Sequence, residues 1–238
     1  MTALPDLRAQ TDALVGLLNG ADLSLPVPTC PGWTLADLAV HVGDGQHWAA
    51  ELVCTGTPPP QPRGTAPEDL EAWLRHGTDL LIEAVAKDPD AQVWTFLGPR
   101  PARFWGRRMR NDLLVHRADA ALALGREFQA EAATAADALS EGLDLIAASA
   151  TSGLSPALAM LRGRGVLKFV STDAPGVWTV RREPEAVTWT AEDGPADVTV
   201  SGGAVDLLLV FSRRSSPGRV RVSGDEELLR HWLEHSAF

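Results

Sequence analysis

The stretch RMRNDLLVHRADAALALG, residues 108–125, has the composition of a buried helix, because Leu, Val and Ala make up half of it. Asp112 and His116 stand four residues apart within this stretch. A spacing of four places their carboxylate and imidazole on one helical face. Such a pair on an apolar helix is either a local, solvent-exposed contact or one side of a functional site, and the rest of the chain bears on that choice.

The N-terminal part of the chain has a helical pattern of apolar residues. Thr34 stands at a helix N-cap, with Asp37 three residues later in the register of a capping box. The Pro-rich run TGTPPPQPRGTAP, residues 55–67, is incompatible with a helix and predicts a loop. Four helices joined by connections of mixed length predict a four-helix bundle. The predicted helices cover residues 5–20, 34–52, 67–87 and 102–124.

The pattern changes after about residue 160. Residues 165–202 contain four short runs of Val, Thr, Phe and Trp separated by Pro, Gly and Asp, which is typical of antiparallel strands. A helix over 203–213, a strand over 219–224 and an amphipathic helix over 225–238 follow. The sequence therefore predicts an α+β fold. Its two domains are a helical bundle over 1–155 and a small α+β domain with an antiparallel sheet over 156–238.

Composition limits the classes of partner. Hydrophobic residues make up 45% of the chain and charged residues 22%, as in ordinary globular proteins. The net charge of -10 argues against nucleic acid and anionic membranes as partners, because proteins that bind them need a surplus of Lys and Arg. The first residues resemble neither a signal peptide nor a membrane span, so we expect a cytoplasmic protein. Cys30 and Cys54 are then expected to be free thiols.

His41, on the second predicted helix, is a candidate partner for Asp112 and His116. Helical bundles build metal sites from side chains on facing helices. Two imidazoles and a carboxylate would supply three of the four ligands of a zinc ion, and catalytic sites leave the fourth position open. Spacing alone also allows another interpretation, in which Asp112 and His116 form an exposed pair and His41 is a hydrogen-bonded core histidine.

Three segments resemble the mycothiol-dependent maleylpyruvate isomerase family, which belongs to the DinB-like metal-dependent bundle superfamily. VPTCPGWTLADLAVHVGD (27–44) resembles its Pro-Gly-Trp-Thr turn and metal-binding helix, and RMRNDLLVHRADA (108–120) its second metal motif. VSGGAVDLLLVFSRR (200–214) with VRVSGDEELLRHWL (220–233) resembles its C-terminal domain. The resemblance implies a DinB-like bundle, a divalent metal, zinc by preference, and mycothiol as cofactor. The implied metal ligands are His41, Asp112 and His116.

The chain departs from the family pattern at three positions. Asp112 stands where the family has Glu, which is one methylene longer, so we expect metal affinity to be lower. Asn111 replaces a His and Ala118 replaces a Trp. Because function depends on the details of a site more than the fold does, these changes bear on substrate class.

The resemblance implies a reaction at an activated thiol. Zinc lowers the pKa of a bound thiol, and the thiolate of mycothiol adds to the cis double bond of maleylpyruvate, the new single bond rotates, and elimination leaves the trans product. A single attack on an electrophile would instead make an S-transferase, and the sequence leaves both open. An anionic cofactor or dicarboxylate substrate needs cationic partners. The candidate residues are Arg108, Arg110, Arg117, Arg213 and Arg214.

Two further functions remain open on the sequence. A metal-bound hydroxide would make a hydrolase that turns over without a thiol. A ligand-binding or regulatory protein with a decayed metal site would bind little metal, and the shorter Asp112 side chain is the feature that favours it.

Overall fold

The computed structural model describes residues 3–60, 64, 67–152 and 155–236. The chain divides into two compact units, Met1–Phe128 and Gln129–Phe238. The sequence pattern predicts a later division, at residue 155, and the helix Ala132–Ser152 accounts for the difference. In the part of the chain that the structure describes, no helix has the length and apolar character needed to cross a membrane.

The first unit is a bundle of four helices, as predicted. Helices α1 and α2 each pack against α3 and α4, and their buried faces are lined mainly by Leu, Val and Ala. A two-strand ladder, β1–β2, precedes the last helix. The elements are α1 (Ala3–Leu18), α2 (Leu35–Thr55), α3 (Leu70–Lys87), β1 (Gln92–Val93), β2 (Arg100–Pro101) and α4 (Arg103–Ala123).

Helix α2 has defined ends that the sequence encodes. The Thr34 side chain accepts a hydrogen bond from the Asp37 amide, and the Asp37 carboxylate accepts one from the Thr34 amide, which confirms the predicted capping box. At the other end Gly56 adopts a left-handed conformation with φ of 76°, and its N–H donates to the Leu52 carbonyl. Glycine takes this conformation without the steric cost that a side chain adds. These caps fix where His41 lies along the bundle.

The second unit combines helices with a five-stranded sheet. Its helices are α5 (Ala132–Ser152), α6 (Pro156–Ala159), α7 (Ala204–Phe211) and α8 (Glu226–His235). Its strands are β3 (Gly165–Ser171), β4 (Val177–Arg182), β5 (Val187–Thr190), β6 (Val198–Gly202) and β7 (Arg221–Gly224).

The sheet has the order β5-β4-β3-β6-β7. Three of its four pairings are antiparallel, but β3 and β6 run parallel, so the prediction of an antiparallel sheet needs correction. Strands β3, β4 and β5 form a meander, and the chain then crosses to the other side of β3 instead of making another hairpin. A hairpin pattern read from short apolar runs cannot show such a crossover, because strand order is a tertiary property.

Helix α5 belongs to the second unit. It packs against α6, α7 and β5 through an apolar face that includes Leu139, Leu143 and Ile146. Trp178 of β4 anchors it by donating from Nε1 to the Ser140 hydroxyl over 2.8 Å. The sequence pattern changes from helical to strand-like only where the strands begin, so a domain boundary predicted at residue 155 assigns α5 to the bundle.

Candidate metal centre

Helix α4 presents Asp112 and His116 on one face, and α2 brings His41 to them. One donor atom from each of the three residues lies within 4.8 Å of the others. Asp112 Oδ2 is 3.7 Å from His116 Nε2, and the two imidazole rings meet edge to face with centroids 5.0 Å apart. The predicted triad is therefore spatially assembled within the first unit.

The three residues of the triad differ in how deeply they are buried. His116 exposes 9% of its surface and Asp112 is half-buried, whereas His41 is the most exposed residue of the three. The site thus has a closed side formed by α4 and an open side at His41. The sequence also allows His41 to be a hydrogen-bonded core histidine, but in the structure His41 is exposed and lies at the mouth of the site.

Asp119 holds the second ring nitrogen of His116. Asp119 is fully buried, and its Oδ2 lies 2.9 Å from His116 Nδ1. Its carboxylate also accepts hydrogen bonds from the Thr29 hydroxyl, at 2.5 Å, and from the Cys30 thiol, at 3.6 Å. A carboxylate on Nδ1 fixes the tautomer that carries the proton there, which leaves Nε2 as the donor for a metal.

The loop before α2 supplies these supporting contacts. It closes on itself through hydrogen bonds from the Val27 amide to the Trp33 carbonyl and from the Trp33 amide to the Cys30 carbonyl. Gly32 has φ of 85°, which allows the tight turn. The Trp33 indole consequently lies over the site, with its centroid 4.9 Å from that of His41.

Sequence reasoning missed the roles of Thr29 and Asp119. Asp119 carried one usable signal, since it follows His116 by three residues on an apolar helix. Thr29 carried none, because 90 residues separate it from the carboxylate it supports.

The charges of the triad are strongly coupled. Burial alone would lower the pKa of His116, but the Asp112 carboxylate and the hydrogen bond to Asp119 outweigh it and raise the pKa to about 9. Burial would likewise raise the pKa of Asp112, yet Arg108 and His116 hold it below its usual value. The pKa of His41 is lowered by the partial burial of its imidazole between neighbouring side chains and then by repulsion from His116. Without a metal, His116 is thus the protonated member at neutral pH.

The donor set fits a divalent cation such as zinc. Two donors of one tetrahedral zinc, each about 2.0–2.1 Å from the ion, lie about 3.3 Å apart. The 3.7 Å between Asp112 Oδ2 and His116 Nε2 is close to this value despite the shorter Asp side chain. An outer carboxylate on a ligating histidine, the arrangement of Asp119, is a recurrent feature of zinc sites.

The predicted arginines of α4 separate into two groups. Arg108 lies one turn before the triad carboxylate and forms an ion pair with it. Arg110 donates to Asn111 Oδ1 over 3.0 and 2.8 Å, and Arg117 donates to Gln10 of α1. At 100° per residue, positions 110 and 117 lie about 160–180° around the helix from 108, so they are turned towards α1. Of these three, only Arg108 is brought to the triad.

Arg213 and Arg214 lie in the second unit, just after α7. Arg213 has φ of 61°, and Arg214 Nη1 donates to the Ser212 carbonyl over 2.8 Å. Within their own unit both residues form the turn that ends α7. Their predicted role as cofactor ligands stays a prediction.

An open pocket of about 420 Å³ begins at His41. Its wall combines indole rings, carboxylates and small residues, mostly from α2. The lining residues are Trp33, Asp37, Val40, His41, Asp44, Gly45, Trp48 and Gly64.

Comparison with known proteins agrees with this architecture. The family model for the mycothiol maleylpyruvate isomerase N-terminal domain matches residues 4–121, and that for the C-terminal domain of the same family matches residues 133–231. The chain belongs to this family. Both family matches leave α5 with the C-terminal domain, as the structure does.

Solved structures agree on the fold of the family. A crystal structure of the mycothiol-dependent maleylpyruvate isomerase superposes with a TM-score of 0.62 at 19% identity, covering 93% of this chain and 91% of that chain. A variant of that isomerase with one histidine replaced by alanine gives a TM-score of 0.59 at 17% identity, with the same coverage. No curated protein sequence matches the chain significantly.

Proposed function

We propose that this protein is a mycothiol-dependent, divalent-metal-dependent isomerase or thiol transferase that acts on a small electrophile such as maleylpyruvate. Membership of an isomerase family supports catalysis. The observation that carries the proposal is the convergence of His41, Asp112 and His116, with Asp119 fixing the tautomer of His116.

Each residue of the site has a distinct task in this proposal. His41, Asp112 and His116 would hold the cation, and His41 also lines the pocket. A cation held there lowers the pKa of a thiol that joins it, so that the thiol is deprotonated at neutral pH. Asp119 keeps the Nδ1 proton on His116, and the Trp33 indole packs against the His41 ring.

Arg108 is the candidate partner for a negative charge in the substrate. Its guanidinium pairs with the Asp112 carboxylate, and 23% of the Arg108 side chain is exposed to solvent. A substrate carboxylate that approaches the site meets this positive charge first, because the other predicted arginines of α4 are directed at α1.

The position of Asp112 favours catalysis over a decayed site. A decayed site requires a carboxylate too short to share a cation with the histidines, whereas Asp112 Oδ2 lies 3.7 Å from His116 Nε2. No contact in the described residues favours a hydrolase. A hydrolase would turn over without a thiol, so a requirement for thiol distinguishes the proposed enzyme from it.

The cytoplasmic location expected from the sequence stays a prediction.

The test is turnover of maleylpyruvate by zinc-loaded protein with and without mycothiol. An isomerase yields the trans isomer while the mycothiol concentration stays constant. A transferase consumes one mycothiol for each substrate and forms a thioether. Equal turnover without thiol, or product formation by a His116→Ala variant, would contradict the proposal.

A further inference from the structure

A second group of possible metal ligands lies at the Nδ1 edge of the His116 ring. Cys30 Sγ, a nitrogen of His116 and a carboxylate oxygen of Asp119 all lie within 4.8 Å of one another. Asp119 Oδ2 is 2.9 Å from His116 Nδ1 and 3.6 Å from Cys30 Sγ. Two donors of one tetrahedral zinc lie about 3.3 Å apart when both are nitrogen or oxygen, and about 3.6 Å apart when one is sulfur. The two separations from Asp119 are close to these values, so the group can share a single cation.

The loop before α2 and the helix α4 hold these donors in place. The backbone N–H and C=O of Cys30 both take part in the hydrogen bonds that close the loop. The buried Asp119 carboxylate is fixed through Oδ1 by the Thr29 hydroxyl, which leaves Oδ2 in contact with the other two side chains. Cys30 is only partly buried, so it is the member of the group that ions from solvent reach first.

The donor chemistry of this group differs from that of the triad. The triad offers two nitrogens and an oxygen, whereas the second group has a thiol sulfur in place of one nitrogen. Thiolate ligands favour soft, thiophilic cations such as Cu⁺ and Cd²⁺. Binding displaces the thiol proton of Cys30 and the Nδ1 proton of His116 to solvent, and the ion takes their place. The group therefore fits a softer class of ion than the zinc expected at the triad.

The two groups share His116 and therefore compete for it. A neutral imidazole offers a lone pair on only one nitrogen, because the other nitrogen carries the proton. A cation at the triad needs the lone pair of Nε2, and a cation beside Cys30 needs that of Nδ1. An ion bound to one nitrogen thus withdraws the ring from the other site.

We propose that Cys30, His116 and Asp119 form a second cation site, which takes thiophilic ions and whose occupancy displaces the cation of the triad. The existence of this site is independent of the proposed function. Only the displacement rests on the proposed function, because it requires a metal held by His41, Asp112 and His116. The consequence is that soft metal ions inhibit the enzyme through Cys30.

Titration of the metal-free full chain with cadmium chloride tests this site. The readout is the ultraviolet charge-transfer absorption of a cadmium–thiolate bond. Cys30→Ser and Cys54→Ser form a matched pair, because these are the two cysteines of the chain and Cys54 is exposed near the end of α2, outside the donor group. Serine keeps the size of cysteine and a hydrogen-bond donor for Asp119, so Cys30→Ser is expected to fold.

We expect Cys54→Ser to retain the cadmium–thiolate absorption and Cys30→Ser to lose it. In the Cys54→Ser background, His116→Ala should weaken cadmium binding at least about tenfold, because loss of a ligand costs no less than loss of an outer contact. His41→Ala in the same background should keep both the absorption and the affinity, because His41 belongs to the triad alone. In zinc-loaded Cys54→Ser protein, cadmium should replace zinc as the absorption grows, which mass spectrometry of the gel-filtered protein measures.

Two results would overturn the second site: absorption that persists in Cys30→Ser, or unchanged cadmium affinity when His116 is replaced by Ala. Growth of the absorption with all zinc retained would overturn the displacement. Failure of the proposed function has a different signature. A chain that binds cadmium through Cys30 but never binds zinc keeps the second site and removes the proposed function, whereas thiol-dependent turnover without absorption from Cys30 does the reverse.

Discussion

At the scale of single residues, His116 lies between two carboxylates. Asp112 is on the side of Nε2, and Asp119 holds Nδ1 at 2.9 Å. A neutral imidazole needs its proton on one nitrogen in order to offer the other to a metal. Asp119 keeps the proton on Nδ1, and the Thr29 hydroxyl donates a hydrogen bond to the Asp119 carboxylate. The outer carboxylate is therefore expected to control metal affinity without touching the metal.

Replacing Asp119 by Asn should lower zinc affinity by 10- to 100-fold, the range typical of outer carboxylates on ligating histidines. An Asn side chain can present its amide nitrogen to Nδ1 and so favours the wrong tautomer. Thr29→Val should lower affinity less, and Thr29→Ser should retain it. Competition with a chromophoric chelator measures all three variants. Wild-type affinity in Asp119→Asn would show that the carboxylate has no such role.

Zinc binding should depend on pH through His116. Its pKa of about 9 in the metal-free protein means that a proton occupies the imidazole at neutral pH and must leave when a metal binds. Raising the pH removes this competing proton, so affinity should rise by up to about tenfold per pH unit between pH 6.5 and 8.5. Chelator competition across this range checks the slope. An affinity independent of pH would contradict the charge state assigned to His116.

At the scale of elements, α2 has two glycines with different surroundings. A Cβ on Gly43 would lie 2.1 Å from the Trp73 ring, which belongs to α3. A Cβ on Gly45 would meet only the Met109 sulfur, at an ordinary contact distance of 3.7 Å. Gly43 is thus required for close packing of α2 on α3, whereas Gly45 is not.

Gly43→Ala should lower the free energy of unfolding by about 1–3 kcal/mol, the usual cost of overpacking a filled interface. Gly45→Ala should raise it by ~0.5–1 kcal/mol, because alanine is the better helix former and has space here. Urea unfolding of the metal-free variants, followed by circular dichroism, measures both. Equal effects of the two substitutions would contradict the packing described for α2 and α3.

The elements also show what a single sequence can predict. Local signals were sufficient for the α2 capping box, the four bundle helices and the shared face of Asp112 and His116, because each depends on residues a few positions apart. The parallel pairing of β3 with β6 and the hydrogen bond from Thr29 to Asp119 depend on contacts between distant segments. Nothing in the sequence shows which arginines of α4 meet α1, since that follows from helix packing.

At the scale of the whole molecule, the triad of His41, Asp112 and His116 lies entirely in the first unit. A fragment of residues 1–128 should therefore fold as a helical monomer and bind zinc with the affinity of the full chain. A fragment ending at residue 155 should aggregate, because it carries α5 without the α7 and β5 surfaces that bury its apolar face. Size-exclusion chromatography and zinc titration compare the two. A well-behaved 1–155 fragment beside an insoluble 1–128 fragment would contradict the division at residue 128.

The metal content of the full chain tests the central claim most directly. Protein purified without an affinity tag should contain about one zinc per chain by inductively coupled plasma mass spectrometry. The His116→Ala variant should contain none. A His76→Ala variant, which removes an exposed histidine outside the triad, should retain the wild-type content. Wild-type protein that stays free of metal after incubation with zinc, or a His116→Ala variant that keeps it, would contradict the assignment of His41, Asp112 and His116 as a metal centre.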